Sequence, residues 1–225
     1  MRATFEYDLK KEIKSVRIVI ISLVFILLSF WIAKYSQSLA MYIDGKSPAI
    51  DTLFAIYAII VFLFSSILFS NSITKDIQSQ TIRYITPYIS RRKYYLSKFF
   101  VMMAYFSMIT LLSLLFLLVI RKEFYLPLQS IFNLFVFYAY TESVILLIST
   151  VSKTDRVSYF VGMVISFIMP ILYAVAYFKN NIWLDALNWL LPYKYLDSNW
   201  QIIYLILITS VIFFFGMYSF ERKEL

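Results

Sequence analysis

The chain has 225 residues and a net charge of +8; 61% of its residues are hydrophobic and only 15% are charged. Soluble domains average about 45–50% apolar and about 25% charged residues, so this composition excludes a water-soluble enzyme. Cysteine and histidine are both absent, which excludes a disulfide framework, a thiol nucleophile, an imidazole base and a Cys/His zinc site.

The N-terminal segment predicts a short amphipathic helix over residues 5–16. Phe5, Leu9, Ile13 and Val16 recur every three or four residues and form one apolar stripe, opposite a face rich in lysine. Such a helix would lie in the membrane interface, with its stripe at the acyl boundary and its lysines among the headgroups. It could be a plain anchor that sets the topology, or it could brace a cytoplasmic partner.

Six largely apolar stretches follow, and each is long enough to cross a bilayer, which takes about 20 apolar residues in a helix. The expected spans are about 17–38, 52–74, 99–120, 128–152, 157–178 and 198–220. We therefore expect an all-α membrane protein, with residues 1–225 forming a single transmembrane domain.

Lysine and arginine are distributed unevenly between the two sets of connections. The termini and the even-numbered loops hold 15 of these residues, and the odd-numbered loops hold 6. Because basic residues stay on the cytoplasmic side of a membrane, both termini are expected to face the cytoplasm. The positive charge then reflects topology and attraction to anionic lipid, not nucleic-acid binding.

The loop between the second and third spans, residues 75–98, predicts a further amphipathic helix. Ile82, Ile85 and Ile89 recur at helical spacing, and Pro87 would bend or end the helix. Ser90 can then cap the helix that leads into the third span. The loop could dock into another protein, or it could be an ordinary basic loop on the inner face.

The fourth span carries Glu142, the only charged side chain deep inside the apolar stretches. An unpaired charge at mid-membrane costs about 2.5–3.5 kcal/mol on insertion scales, so this carboxyl should face protein or water. Tyr138, Glu142 and Ser149 share one helical stripe, which could line a substrate path for cationic cargo. Alternatively, Glu142 is hydrogen-bonded and holds helices together, for instance through a tyrosine hydroxyl.

The outer segment 179–197 is too apolar for a free loop and too short, with Asp185 and Asn188 inside it, for a seventh span. A shallow interfacial or re-entrant segment is expected, with its tryptophans at headgroup level. Its Leu190-Leu191-Pro192-Tyr193 stretch lies just before the last span.

The order of these elements resembles the membrane domain of ABC-2 type transporters. Matching residues include Asp76, Thr81-Ile82, Pro87, Ile89-Ser90-Arg91 and Leu96-Ser97-Lys98. The resemblance implies that the loop is a coupling helix at residues 77–90, docked into an ATP-binding subunit, and that residues 5–16 form a connecting helix. The docking residues it implies are Thr81, Ile82, Arg83, Ile85, Pro87, Ile89, Ser90 and Arg91. The outer gate it implies consists of Trp189, Leu190, Leu191 and Pro192.

The three glycines, Gly45, Gly162 and Gly216, cannot form a phosphate-binding loop. If transport is driven by ATP, then ATP and Mg²⁺ would be bound by a partner chain. The resemblance implies a non-catalytic permease that pairs with a second permease, either a copy or a sister chain, and with two ATP-binding subunits. The expected function is export of amphipathic or hydrophobic cargo, foremost peptides such as toxins, bacteriocins or phenol-soluble modulins. The alternatives are a lipid or drug exporter, a transporter without an ATPase, and a stand-alone immunity protein.

Overall fold

The computed structural model describes residue 9 and residues 15–39, 48–122, 126–178, 189–196 and 200–223. Within these ranges the chain is helical and contains no β-strand. The α-helices are α1 (Val16–Leu39), α2 (Pro48–Phe69), α3 (Thr74–Gln78), α4 (Thr81–Ile85), α5 (Arg91–Arg121), α6 (Leu128–Val151), α7 (Asp155–Phe178) and α8 (Ile202–Arg222). A 3-10 helix, Pro192–Tyr195, precedes α8.

Six of these helices, α1, α2, α5, α6, α7 and α8, are long and apolar enough to cross a membrane. The predicted all-α architecture with six candidate spans is therefore confirmed. The helix of the third span begins at Arg91, directly after Ser90, so residues 91–98 extend that span by two turns. Ser90 occupies the N-cap position as expected, but its side chain makes no capping hydrogen bond.

Helix α6 lies at the centre of the bundle and packs against α2, α5, α7 and α8. Its interior side chains include large aromatic residues such as Phe137 and Tyr138, which are fully buried. Helix α1 packs against α2 and α5, while one face of α7 and of α8 exposes large apolar side chains. Such faces are suited to contact with lipid acyl chains or with another membrane helix.

Hydroxyl groups join the long helices inside the bundle. Tyr57 of α2 donates to the Phe25 carbonyl of α1 at 3.0 Å and also lies 2.8 Å from the Ser29 hydroxyl. Ser166 of α7 donates to the Phe62 carbonyl of α2 at 2.9 Å. In an apolar solvent these bonds give buried polar groups a partner and hold neighbouring helices in register.

Helix α8 approaches α5 and α6 closely at Gly216. A Cβ atom placed there would clash with the Tyr95 hydroxyl oxygen and lie 3.6 Å from the Leu147 Cα. Tyr95 is fully buried and therefore cannot turn aside into lipid. The absence of a side chain at residue 216 thus sets the distance between α8 and the start of α5.

Five segments lie together at one end of the bundle: the start of α1, the short helices α3 and α4, the start of α5 and the end of α8. Contacts between the residues in these segments, described below, show that they meet at the same end. We call it the basic end, because Arg17, Lys75, Arg91, Arg92 and Lys223 all lie there. The sequence predicts that this end is cytoplasmic.

Two predictions fall largely outside the described residues. The amphipathic helix at residues 5–16 is described only at Leu9, which is helical, and at residues 15 and 16. In the outer segment, residues 179–188 and 197–199 also lie outside the description, so the interfacial helix predicted there stays a prediction. The part that is described contains the 3-10 helix and the residues just before it.

Candidate functional site

Helix α3 is attached to the central helix α6 through Ser149. The Thr74 hydroxyl donates to the Ser149 carbonyl at 2.6 Å, and the backbone N–H of Ile73 donates to the Ser149 hydroxyl at 3.0 Å. The backbone N–H of Thr74 reaches the same hydroxyl at 3.2 Å. The Ser149 side chain therefore accepts from the unpaired N–H groups at the start of α3 and fixes that end to α6.

A second attachment joins α3 to α5. The Lys98 ammonium lies 3.0 Å from the Asp76 carboxylate, and the Tyr94 hydroxyl donates to the same carboxylate oxygen. The Lys98 nitrogen also lies 5.3 Å from the centre of the Tyr94 ring. All three side chains are buried, so this ion pair is shielded from water and fixed by its hydrogen bonds.

After α3 the chain turns sharply at Gln80, which has a φ of 56°. Helix α4 then buries Ile82, which is only 1% exposed, against the bundle. The opposite side is open: Tyr84 is 76% exposed and Tyr88, in the turn after α4, is 88% exposed. We call the exposed set the α4 surface; it comprises Thr81, Arg83, Tyr84, Pro87 and Tyr88.

The start of α5 is tied to the end of α8. Arg91 donates to the backbone carbonyls of Glu221 at 2.7 Å and Lys223 at 2.9 Å, and Arg92 pairs with the Glu221 carboxylate. Lys223 in turn donates to the Ser152 carbonyl, beyond the end of α6, at 3.0 Å. Burial lowers the pKa of the Lys223 ammonium. Carbonyls at helix ends lack partners within the helix, so cations are favoured there.

The structure divides the predicted docking residues into two groups. Ile82 and Arg91 make contacts within the chain: Ile82 is buried, and Arg91 holds the end of α8. The remaining predicted residues are exposed or half-buried: Thr81, Arg83, Ile85, Pro87, Ile89 and Ser90. The prediction from sequence used the stripe of isoleucines and missed Tyr84 and Tyr88. These two tyrosines are four residues apart, which places them on the helical face opposite the isoleucines, and that spacing could have revealed them.

The stripe of Tyr138, Glu142 and Ser149 is turned into the bundle. Glu142 is fully buried and accepts a hydrogen bond of 2.5 Å from the Ser65 hydroxyl of α2. Its second carboxyl oxygen has no hydrogen-bond partner among the described residues. The Tyr138 hydroxyl lies 2.7 Å from the Thr110 hydroxyl of α5. All three residues of the stripe thus bind neighbouring helices of the same chain, and the partner of Glu142 is a serine.

The end of the bundle opposite the basic end contains a groove of about 320 Å³ between α2, α6, α7 and the 3-10 helix. Tyr173 and Tyr193, with ring centres 5.4 Å apart, form part of its wall, and Asp51 also lines it. Burial raises the pKa of the Tyr193 hydroxyl, which favours its protonated form. Among the described residues of the chain, no group of three or more acidic side chains could hold a metal ion.

The residues predicted for an outer gate lie beside this groove and differ in exposure. Leu191 and Pro192 are buried, whereas Leu190 is exposed. Trp189 is also exposed, and the Lys194 ammonium lies 3.8 Å from the centre of its ring. The Tyr140 hydroxyl of α6 donates to the Leu190 carbonyl at 3.2 Å, which ties this segment to the central helix.

The fold and these sites define a helical protein of the multi-pass membrane class, with a structured connection between its second and third long helices. No protein-family model matches this chain, and a search of curated proteins finds none that matches it. A functional proposal for this chain therefore depends on its own residues and on the order of its elements.

Proposed function

We propose that this chain is the permease subunit of an ATP-driven exporter and that its α4 surface docks on a separate ATP-binding subunit. The observation that carries the proposal is the exposure of Tyr84 on α4 and of Tyr88 in the turn after it, beside the exposed Arg83. Tyrosine and arginine are the residues most often found at the energetic centre of protein interfaces. Two tyrosines exposed to this extent on one short segment are suited to a partner's groove.

The attachments of the α3–α4 connection support a mechanical role for it. Ser149 ties α3 to α6, and the pair of Asp76 and Lys98 ties it to α5. A force applied at the α4 surface would therefore reach two long helices through buried, charge-assisted or hydrogen-bonded contacts. A loop that served only to connect two spans would need neither attachment.

The proposed cycle follows from that coupling. Binding of ATP would close two partner subunits on each other and draw the α4 surfaces of two permease chains together. The permeases would tilt and open a path between them toward the outside, and hydrolysis would reset them. In this proposal the exposed apolar faces of the bundle contact lipid or the second permease, and no chemical step occurs in this chain.

Export of amphipathic or hydrophobic cargo is the transport reaction that we propose. The groove opposite the basic end supports it, since Tyr173, Tyr193 and Phe54 give it apolar walls. Such walls are suited to the apolar part of an amphipathic cargo, such as an amphipathic peptide. Stimulation of ATP hydrolysis by a panel of such peptides, in the reconstituted complex, would test this part.

Docking is tested by co-purification with a Walker-motif ATP-binding protein encoded beside this chain. We expect Tyr84→Ala/Tyr88→Ala to reduce the retained ATPase by about tenfold or more, because interface hot spots contribute about 2 kcal/mol or more each. Arg83→Glu should also weaken retention. Arg91→Glu is unsuitable, since Arg91 holds the end of α8.

Two variants provide matched controls for this experiment. Trp200→Ala removes an exposed aromatic side chain just before the start of α8, at the end of the bundle opposite the basic end. Lys153→Glu reverses an exposed charge between α6 and α7. Both should retain the ATPase at the wild-type level. Full retention by Tyr84→Ala/Tyr88→Ala would refute docking through the α4 surface, and equal loss in the controls would show a general loss of folded protein.

A further inference from the structure

A small polar cavity lies at the basic end between the start of α1, the end of α2 and the first turns of α5. Its volume is about 200 Å³. Arg17, Lys75 and Lys98 line it together with one acid, Asp76, which is paired with Lys98. Within the described residues, neither Arg17 nor Lys75 forms a salt bridge. Counted over the described residues that line it, the cavity therefore has an excess of positive charge.

Hydrogen-bond donors in the cavity also fit an anion. Ser15 and Asn71 line it, and the Ser72 hydroxyl, which lines it too, is buried and has no hydrogen-bond partner among the described residues. The acid Asp155 interacts electrostatically with Lys75, so the local excess is about one positive charge. A phosphodiester carries one negative charge and several acceptor oxygens, and would match both the charge and the donors.

A separate, apolar groove of about 260 Å³ lies between α1 and α5, the two helices whose first turns contribute Arg17 and Lys98 to the cavity. Ile18, next to Arg17 in the chain, lines its start, and Tyr105 lies two helical turns beyond Lys98 on α5. The Ser22 and Tyr105 hydroxyls, 3.3 Å apart, bridge the two helices in the groove. The rest of the lining is apolar and includes Leu112.

The length of the groove matches one leaflet of a bilayer. Residues 18–26 of α1 line it, and at 1.5 Å per residue they span about 12 Å. Half of a hydrocarbon core of about 30 Å is about 15 Å. The cationic cavity would lie at headgroup level, with the groove directly beneath it in the acyl region.

We propose that the cavity and the groove together bind one anionic phospholipid. Its phosphate is held by Arg17, Lys75 and the Ser72 hydroxyl, and one acyl chain lies in the groove between α1 and α5. Basic cavities between membrane helices bind anionic headgroups by this charge complementarity. Because the site also contacts Lys98 and Asp76, a bound lipid would brace the attachment of α3. This inference does not depend on the presence of an ATP-binding partner.

The test is lipid binding to the purified full chain in a neutral detergent, measured by native mass spectrometry with phosphatidylglycerol, phosphatidylcholine and inorganic phosphate as probes. We expect phosphatidylglycerol to bind about tenfold more tightly than phosphatidylcholine. Arg17→Ala/Lys75→Ala should abolish that preference. The control Lys153→Ala/Arg156→Ala removes the same charge from exposed positions at the same end and should keep it.

The groove is tested with a second matched pair. Leu112→Trp fills the groove and should weaken phosphatidylglycerol binding, while Leu111→Trp, equally exposed but outside the lining, should not. If Arg17→Ala/Lys75→Ala and Lys153→Ala/Arg156→Ala lost the preference for phosphatidylglycerol equally, the proposal would be overturned in favour of general attraction to the basic surface. Inorganic phosphate binding as tightly as the lipid would overturn the role of the groove. A change in oligomeric state with Leu112→Trp, without a change in lipid binding, would assign the groove to a second copy of the chain.

Discussion

Helices α3 and α4 have the same length and are adjacent in the chain, yet their surroundings are opposite. In α3, Thr74 and Asp76 are buried and bound to α6 and α5. In α4 only Ile82 is buried, and Tyr84 is exposed. The difference separates two tasks within one loop: α3 attaches the loop to the bundle, and α4 presents a surface. The predictions that follow separate these two tasks, from the largest expected effect to the smallest.

Removal of the Lys98 ammonium should have the largest effect. Lys98→Ala leaves the buried Asp76 carboxylate without its cation, and breaking a buried pair costs about 3–5 kcal/mol. Thermal unfolding of the purified protein in detergent measures the loss. Lys93→Ala, an exposed lysine on the same helix, is the control and should unfold like the wild type. Equal Tm values for the two variants would contradict the assignment of Asp76 and Lys98 as an attachment.

Gly216→Ala should destabilise the packing of α8 against α5, the helix to which Asp76 of α3 is attached. The added methyl group meets the Tyr95 hydroxyl, and overpacking of a buried contact costs about 1–3 kcal/mol. The double variant Gly216→Ala/Tyr95→Phe removes the clashing oxygen and should recover most of the loss in unfolding free energy. Failure of Tyr95→Phe to rescue Gly216→Ala would show that the close approach of α8 and α5 is not limited by this hydroxyl.

Thr74→Val and Thr81→Val compare the same substitution in the two short helices. Thr74→Val removes the hydrogen bond to the Ser149 carbonyl and should cost about 1 kcal/mol of unfolding free energy. Thr81 is exposed, so Thr81→Val should remain within about 0.5 kcal/mol of the wild type. Denaturation curves for both variants check the comparison, and a larger loss at Thr81 would reverse the roles given to α3 and α4.

The smallest effect on the free energy of unfolding is expected at Gln80, in the turn between α3 and α4. Gln80 has a positive φ, which glycine adopts without a Cβ clash, so Gln80→Gly should raise the unfolding free energy by up to about 1 kcal/mol. Gln78→Gly, at the last residue of α3, should lower it by about 0.5–1 kcal/mol. The same denaturation measurement gives both values, and equal signs would show that the turn at Gln80 carries no strain.

The six long helices could be predicted from the sequence because runs of about 20 apolar residues have few alternatives in a membrane. The early end of α4 was also predictable, since Pro87 disfavours helix just before it and the helix ends at Ile85. These predictions depend on local composition. They therefore need no knowledge of how the helices pack.

Contacts between distant residues could not be predicted in the same way. Ser65 and Glu142 are 77 positions apart, and Arg91 reaches a carbonyl 130 positions away. Nothing in the local pattern distinguishes an arginine that binds a helix end from one that faces a partner. The exposure of Tyr84 and Tyr88 likewise depends on which face of α4 the bundle covers.

The central claim is that the α4 surface contacts an ATP-binding subunit, and site-specific cross-linking tests it most directly. The chain contains no cysteine, so Thr81→Cys creates a single thiol on the α4 surface and leaves Tyr84 and Tyr88 in place. A photoactivatable thiol reagent at residue 81, in membranes that contain the intact complex, should give a cross-link to a Walker-motif protein identified by mass spectrometry. Trp200→Cys should give no such product. A Thr81→Cys variant that cross-links only to lipid or to another copy of this chain would contradict the account.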